Sequence, residues 1–179
     1  MASAILQLFS PYSKLGRISR IKHRNSHNVS MPRLLRREWI TNPSPGRYNP
    51  IARFVVGECS LIQNVKEALS AGYAVEIITG PKVRFASTRG TMAELLETYG
   101  TKFKLYSVRD RPQKHSCLIN GNILYEDYHA SDDDYLEATV VENVDEENIS
   151  KYINNFENIK QLATPEDTVE KIMGMQTIH

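Results

Sequence analysis

The stretch QKHSCLINGNILYE, residues 113–126, decides how this chain is read. Two apolar runs flank Asn120-Gly121. Asn-Gly in that setting is the strongest short hairpin signal, because both central positions of the tight turn need a positive φ. With those two residues as the turn, Ile119 stands opposite Asn122, Cys117 opposite Leu124 and His115 opposite Glu126. The hairpin therefore sets a histidine beside a carboxylate, a pair that can raise the imidazole's basicity.

Working outward, Arg53-Phe54-Val55-Val56 is a short β-branched and aromatic run that predicts a buried strand. Ser60 follows as a helix cap, and Leu61, Ile62, Val65, Ala68 and Leu69 recur at helical spacing until Gly72 stops them. Ala74–Ile78 predicts a second strand, ended by Gly80-Pro81. Strand, helix and strand in that order imply a parallel pair with a crossover. Thr91-Met-Ala-Glu94 has the form of a capping box, which predicts a helix from Thr91 to Tyr99 and a stop at Gly100. Phe103–Tyr106 is a further strand, and Arg109-Asp110-Arg111-Pro112 a charged turn. Beyond the hairpin, Leu136–Val141 predicts a strand. Ile149, Tyr152, Ile153, Phe156, Ile159 and Leu162 mark the apolar stripe of a long helix that ends at Thr164-Pro165.

That succession, with ALSAGYAVEIITGP, then MAELLETYG, then QKHSCLING before a closing helix, resembles one copy of the phospholipase D-like fold over about Ile51–Ala163. The resemblance implies an α/β domain, a mixed sheet flanked by helices. The family's catalytic HxKxxxxD peptide belongs where QKHSCLING stands. Aligning the turn glycine on Gly121 puts Gln113 in the histidine slot, His115 in the lysine slot and Asn120 in the aspartate slot. A shifted register puts His115 in the nucleophile slot, with Cys117 then replacing the lysine. The family's Gly-Ser-x-Asn segment corresponds to Glu126-Asp127-Tyr128-His129. The His-Lys-Asp set is thus degenerate, which points away from the family's activity.

The family's chemistry attacks a phosphodiester with a histidine while lysines neutralise the developing oxyanion. Glutamine and asparagine donate hydrogen bonds but no charge. His115 is therefore the one candidate catalytic residue. Gln113, Asn120, Glu126 and the cations Arg109, Arg111 and Lys114 are candidate ligand-binding residues. Asp132, Asp133, Asp134 and Glu137, with His129, lack EF-hand spacing and read as a solvated acidic loop, so no metal and no cofactor are expected. His23 and His27 lie four apart with Arg24 between them, which disfavours a cation. Cys59 and Cys117 are single thiols in apolar runs and read as buried and inert.

The 179 residues suit one domain plus an extension, and 41 % hydrophobic with 24 % charged residues is ordinary globular composition. Two cysteines exclude a disulfide-stapled mini-domain. No run of eighteen apolar residues exists, so no membrane span is expected. The net charge of +1 is a cancellation. Residues 1–53 carry ten Lys/Arg against one acid, whereas residues 126–170 carry two against fourteen. Residues 1–50 read as a basic, flexible extension, with a linker at 42–50 rich in proline. Residues 51–163 read as the domain and 164–179 as a tail. Met31 offers an internal start, and residues 1–30 have the Arg-rich, acid-poor character of organellar targeting segments, although a cytoplasmic location is expected.

Three functions follow from these features. The first is a non-catalytic phospholipase D-like module that binds a phosphorylated ligand, nucleic acid or a protein partner. Family members with one motif copy pair their subunits, so the resemblance implies a homodimer. The second is a metal-independent phosphodiesterase or nuclease using His115. The third is an assembly protein whose basic arm meets nucleic acid or another polyanion. A fourth arrangement needs no ligand: the acidic 126–170 stretch folds against the basic arm.

Overall fold

The computed structural model describes residues 17–24, 51–57, 62–83, 85–112, 114–128, 135–142 and 144–177. In chain order the elements are β1 (Arg17–Arg24), β2 (Ile51–Val56), α1 (Ile62–Ser70), β3 (Ala74–Thr79), β4 (Lys82–Val83), α2 (Ala86–Tyr99) and β5 (Phe103–Ser107). There follow β6 (Lys114–Ile119), β7 (Asn122–Tyr128), β8 (Tyr135–Glu142), α3 (Glu146–Gln161), β9 (Thr164–Pro165), α4 (Val169–Gly174) and β10 (Gln176–Thr177). Eight strands form one sheet in the order β1-β8-β7-β6-β2-β3-β5-β9. β2, β3 and β5 are parallel, and the β6–β7–β8–β1 half is antiparallel. The fold is therefore α/β, a mixed sheet with helices on both faces, as the resemblance implies.

Strand alternation sorts the core into two layers. Phe54, Val56, Ile77, Phe103, Cys117 and Ile119 face α1, α2 and α4, where Leu69, Met92 and Ile172 pack on them. Val55, Ile78, Leu118, Ile123 and Val141 face α3, against Ile149, Tyr152 and Phe156. The hairpin has the expected register, with His115 opposite Glu126 and Cys117 opposite Leu124. Its turn residues have positive φ, 50° at Asn120 and 75° at Gly121. Gly72 (φ 93°) and Gly100 (φ 51°) end α1 and α2 where they were expected to.

Three expectations meet a different outcome, and two are not reached. The Ser60 cap and Cys59 lie outside the described residues. Thr91 does not cap α2, which begins at Ala86 after Phe85, a cap with no side-chain bond. The Thr91 hydroxyl instead donates to the Ser87 carbonyl one turn back, 3.2 Å away. Ala86 and Arg89 are good helix formers, so the helix extends upstream of the capping-box match.

Residues 164–177 are not a loose tail. Thr168 caps α4, Ile172 is fully buried, and the Arg89 guanidinium holds the Met175 carbonyl at 2.8 Å. Val169, Ile172 and Met175 carry the packing, too few apolar positions for periodicity to reveal. Within the basic extension, Arg17–Arg24 form edge strand β1 rather than flexible chain. Edge strands tolerate the charged residues that hid it from an apolar pattern. Its register sets Arg17 opposite Glu142 and Lys22 opposite Glu137, so part of the basic arm does lie along part of the acidic stretch.

Candidate functional site

The candidate site lies beyond the carboxyl ends of β2 and β3, where open α/β sheets leave a crevice for ligands. The chain leaves β2 at Gly57 and β3 at Gly80, and the Gly80 amide donates to the Gly57 carbonyl at 3.2 Å. Neither position has room for a side chain without adjustment. A Cβ on Gly80 would lie 2.7 Å from the Gly57 oxygen and 3.2 Å from Arg111 Cα. A Cβ on Gly57 would lie 2.9 Å from both Arg111 Nε and His115 Nε2, and 3.2 Å from the Pro112 carbonyl oxygen. Arg111 and His115 thus close on one glycine from two directions.

Each is brought there by its element. Ser116 pairs with Val55, so His115 sits one step further, beside the carboxyl end of β2, on the face that Cys117 shares. It is 5 % exposed. Arg111 comes from the bend after β5, and the Val108 amide ties the start of that bend to the Thr79 carbonyl at 2.8 Å. Thr79 ends β3 in register with Val56 and is fully buried. Its hydroxyl has no hydrogen-bond partner among the described residues.

The remaining sequence candidates divide. Arg109 lies in the same bend and is exposed. Lys114 opens β6, opposite Asp127 in the register, and Glu126 stands opposite His115. Gln113 lies outside the described residues. Asn120 is not brought to the site. It lies at the other end of β6, about 17 Å from His115 by strand rise, and its amide Nδ2 donates to the Tyr73 hydroxyl. Burial pushes the Tyr73 phenol up from its ordinary value, and the Asn120 bond partly offsets this. Cys117 is fully buried.

Gly57, Gly80 and Thr79 were legible only as strand ends. The rule that ligands gather at the carboxyl ends of parallel strands is the signal that singles them out.

A second polar cluster, on the α3 face, is structural. Glu76 is 7 % exposed, and its carboxylate lies 3.3 Å from Lys160 Nζ, 3.3 Å from Arg53 Nε and 3.8 Å from Lys104 Nζ. Arg53 Nε is out of line for a hydrogen bond, so that contact is Coulombic. Lys160 also sits over the Tyr106 and Phe156 rings. Burial alone would lower its pKa, but the Glu157 and Glu76 carboxylates outweigh that and hold it above the usual lysine value.

Chemically, an imidazole and a guanidinium nitrogen converge beside Gly57, with a buried hydroxyl on the neighbouring strand. Among the described residues no group of His, Cys, Asp and Glu could hold a metal ion, and no helix is long and apolar enough to cross a membrane.

No sequence-family profile matches the chain, and no curated protein matches it in sequence. Solved structures do match. The phospholipase D family member Nuc from Salmonella typhimurium superposes with a TM-score of 0.58 at 10 % identity, over 83 % of this chain and 98 % of Nuc. The archaeal chromatin protein TrmBL2, described with a novel mode of DNA binding, matches with a TM-score of 0.57 at 13 % identity, over 91 % of this chain and 58 % of its own. Phosphatidylserine synthase from Haemophilus influenzae matches with a TM-score of 0.56 at 12 % identity, over 85 % of this chain and 40 % of its own. The identities are low and the architecture is shared: the chain has a phospholipase D-like fold.

Proposed function

We propose that this chain is a non-catalytic phospholipase D-like module that binds a phosphodiester polyanion, nucleic acid before others, beyond the carboxyl ends of β2 and β3. One observation carries the proposal: His115 Nε2 and Arg111 Nε each come within 2.9 Å of the place a Gly57 Cβ would occupy. Two donors, one of them permanently charged, suit a phosphate oxygen. His115 and Asn120 stand in the family's lysine and aspartate slots, which argues against turnover. Asn120, in the family's acid slot, is engaged with Tyr73 at the far end of the strand. Losing a transition-state donor costs about 10²–10³ in rate, and here a lysine is replaced as well.

The DNA-binding mode described for TrmBL2, which shares this fold, supports nucleic acid as the ligand class. The basic residues of 1–50 would add sequence-independent attraction. With one motif copy per chain, the proposal includes a homodimer.

The test is binding of single- and double-stranded oligonucleotides to the full chain across a salt series, with hydrolysis of an activated phosphodiester measured in parallel. Arg111→Ala and His115→Ala are expected to weaken binding at least tenfold, with no turnover in any form. Turnover that disappears in His115→Ala would instead establish the phosphodiesterase reading. Binding unchanged in both variants but lost with residues 1–50 would assign the interaction to the basic arm.

A further inference from the structure

β2, β3 and β5 are parallel, so all three end on the side of the sheet where Gly57, Gly80, Arg111 and His115 meet. α2 begins on that side too. The chain leaves β3 at Gly80, passes through β4 and turns into α2 at Ala86. It regains the other end of the sheet at Tyr99, where Gly100–Lys102 lead into β5. Phe85 stands at the head of that helix, five positions on from Gly80. The two Cα atoms therefore lie at most about 18 Å apart.

Phe85 breaks two local preferences at once. Among the described residues the large apolar side chains left in solvent are Phe85, Leu162 and Met173. Phe85, 59 % exposed, is the one aromatic of the three. It also holds an N-cap position, where Ser, Thr, Asp and Asn are preferred because their oxygens accept from first-turn amides. α3 and α4 follow that preference, with Asp145 and Thr168. Positions that break local preferences gather where a binding surface requires them.

The ring stands on a fixed base. Val83 is fully buried and pairs with Thr177 of β10. Thr88 is buried, and its amide donates to the Phe85 carbonyl at 3.0 Å. Arg89, one turn into α2, donates to the Met173 and Met175 carbonyls at 3.3 and 2.8 Å and ties the helix to α4. Packed backbone on both sides of Phe85 lowers the entropic cost of binding against it.

The charge of this segment has one sign. Residues 77–93 carry Lys82, Arg84 and Arg89 and no acid. Lys82 is exposed, and Arg89 meets carbonyl oxygens rather than a carboxylate. An aromatic face among cations, beside an anion site, suits a single strand, whose bases stack while its phosphates are neutralised. In a duplex the bases are stacked on each other, and no face is free for the ring.

We infer that the polyanion bound here is single-stranded nucleic acid, one base of which stacks on Phe85 while a phosphate further along the strand meets Arg111 and His115. This stacking point rests on the reading of the Arg111–His115 site given above.

The test is titration of the full chain with fluorescent strands of DNA and of RNA about twelve nucleotides long. The DNA duplex of the same sequence and a strand with abasic sites in place of its bases serve as controls. Phe85→Ala is expected to weaken the tighter-bound single strand about 5–150-fold, the range of one stacked base, and to leave the duplex and the abasic strand unchanged. Phe85→Trp should keep the affinity, and Phe85→Leu should lose it as Ala does, because leucine has bulk without a π face. Equal single-strand affinity in Phe85→Ala and the parent, with binding weakened in Arg111→Ala, would overturn the stacking and leave the site. Equal affinity in the parent, Phe85→Ala and Arg111→Ala would remove the site itself. A loss as large on the duplex or the abasic strand, or full affinity in Phe85→Leu, would also overturn the stacking. Whichever of DNA and RNA the parent binds more tightly identifies the sugar.

Discussion

Asn120 donates its side-chain amide to the Tyr73 hydroxyl, so the turn residue of the hairpin is bound to the start of β3 rather than to the candidate site. Both residues are buried. Tyr73→Phe removes this acceptor from a buried amide. The expected loss is about 1–3 kcal/mol of stability, read as a lower denaturant midpoint. Oligonucleotide affinity should not change, because this bond lies at the far end of β6. A tenfold loss of affinity in a folded Tyr73→Phe protein would place Asn120 functionally in the site.

Gly57 and Gly80 separate site from scaffold. The atoms that a Gly57 Cβ would press on are mainly side-chain ends, Arg111 Nε and His115 Nε2. Gly57→Ala should therefore fold nearly normally and bind at least tenfold more weakly. The Gly80 Cβ would meet the Gly57 carbonyl oxygen, a backbone atom that cannot rotate away. Gly80→Ala should cost about 1–3 kcal/mol, the range of an overpacked core. Thermal melts and titrations of the two variants check the contrast, and equal binding by Gly57→Ala and the parent would contradict it.

Residues 164–177 are anchored to the core through Ile172 and Met175, which Ile172 tests directly. The side chain, carried by α4, is fully buried in the cluster that holds Met92 and Leu95 of α2. Ile172→Ala should destabilise by about 2–5 kcal/mol, transfer and cavity terms together. A loss under half a kcal/mol in chemical denaturation would return the segment to the status of a tail.

The Lys160 cluster predicts behaviour at high pH. Its folded pKa is raised, so the folded state keeps the proton longer than the unfolded chain does. That stability is present in full below the unfolded lysine value of 10.5 and is lost as pH rises through the folded value. Tyr73 and Tyr106, both raised mainly by burial, act in the same direction above 10.0. Stability should thus fall on the alkaline side, and Lys160→Met should flatten part of that fall. A Lys160→Met profile parallel to the parent from pH 9 to 12 would remove Lys160 from the account.

The sequence made the sheet legible where local chemistry is strong. Asn120-Gly121 carries its own turn geometry, and the apolar runs of β2, β3 and β5 are buried whatever surrounds them. It hid β1, whose basic residues are tolerated only because it pairs along one edge with β8. It hid α4, which is too short for a period and is held by Arg89 from eighty residues away. The site was half legible. His115 and Arg111 stand out as chemistry-bearing residues, but their approach to Gly57 depends on how β6 pairs with β2 and how the β5–β6 bend folds over β3. Asn120 shows the converse, since a motif slot in the alignment became a structural contact. The charge asymmetry is visible in the sequence, whereas the pairing of Arg17–Arg24 with Tyr135–Glu142 needs the sheet order.

The central claim is that His115 and Arg111 bind a phosphodiester without cleaving it. The most direct measurement pairs oligonucleotide affinity with phosphodiester turnover for the parent, Arg111→Ala and His115→Ala at matched salt. Salt-sensitive binding by the parent, at least tenfold weaker binding by each variant, and no turnover by any of the three are expected. Turnover by the parent that His115→Ala abolishes, or affinities equal across all three proteins, would contradict it.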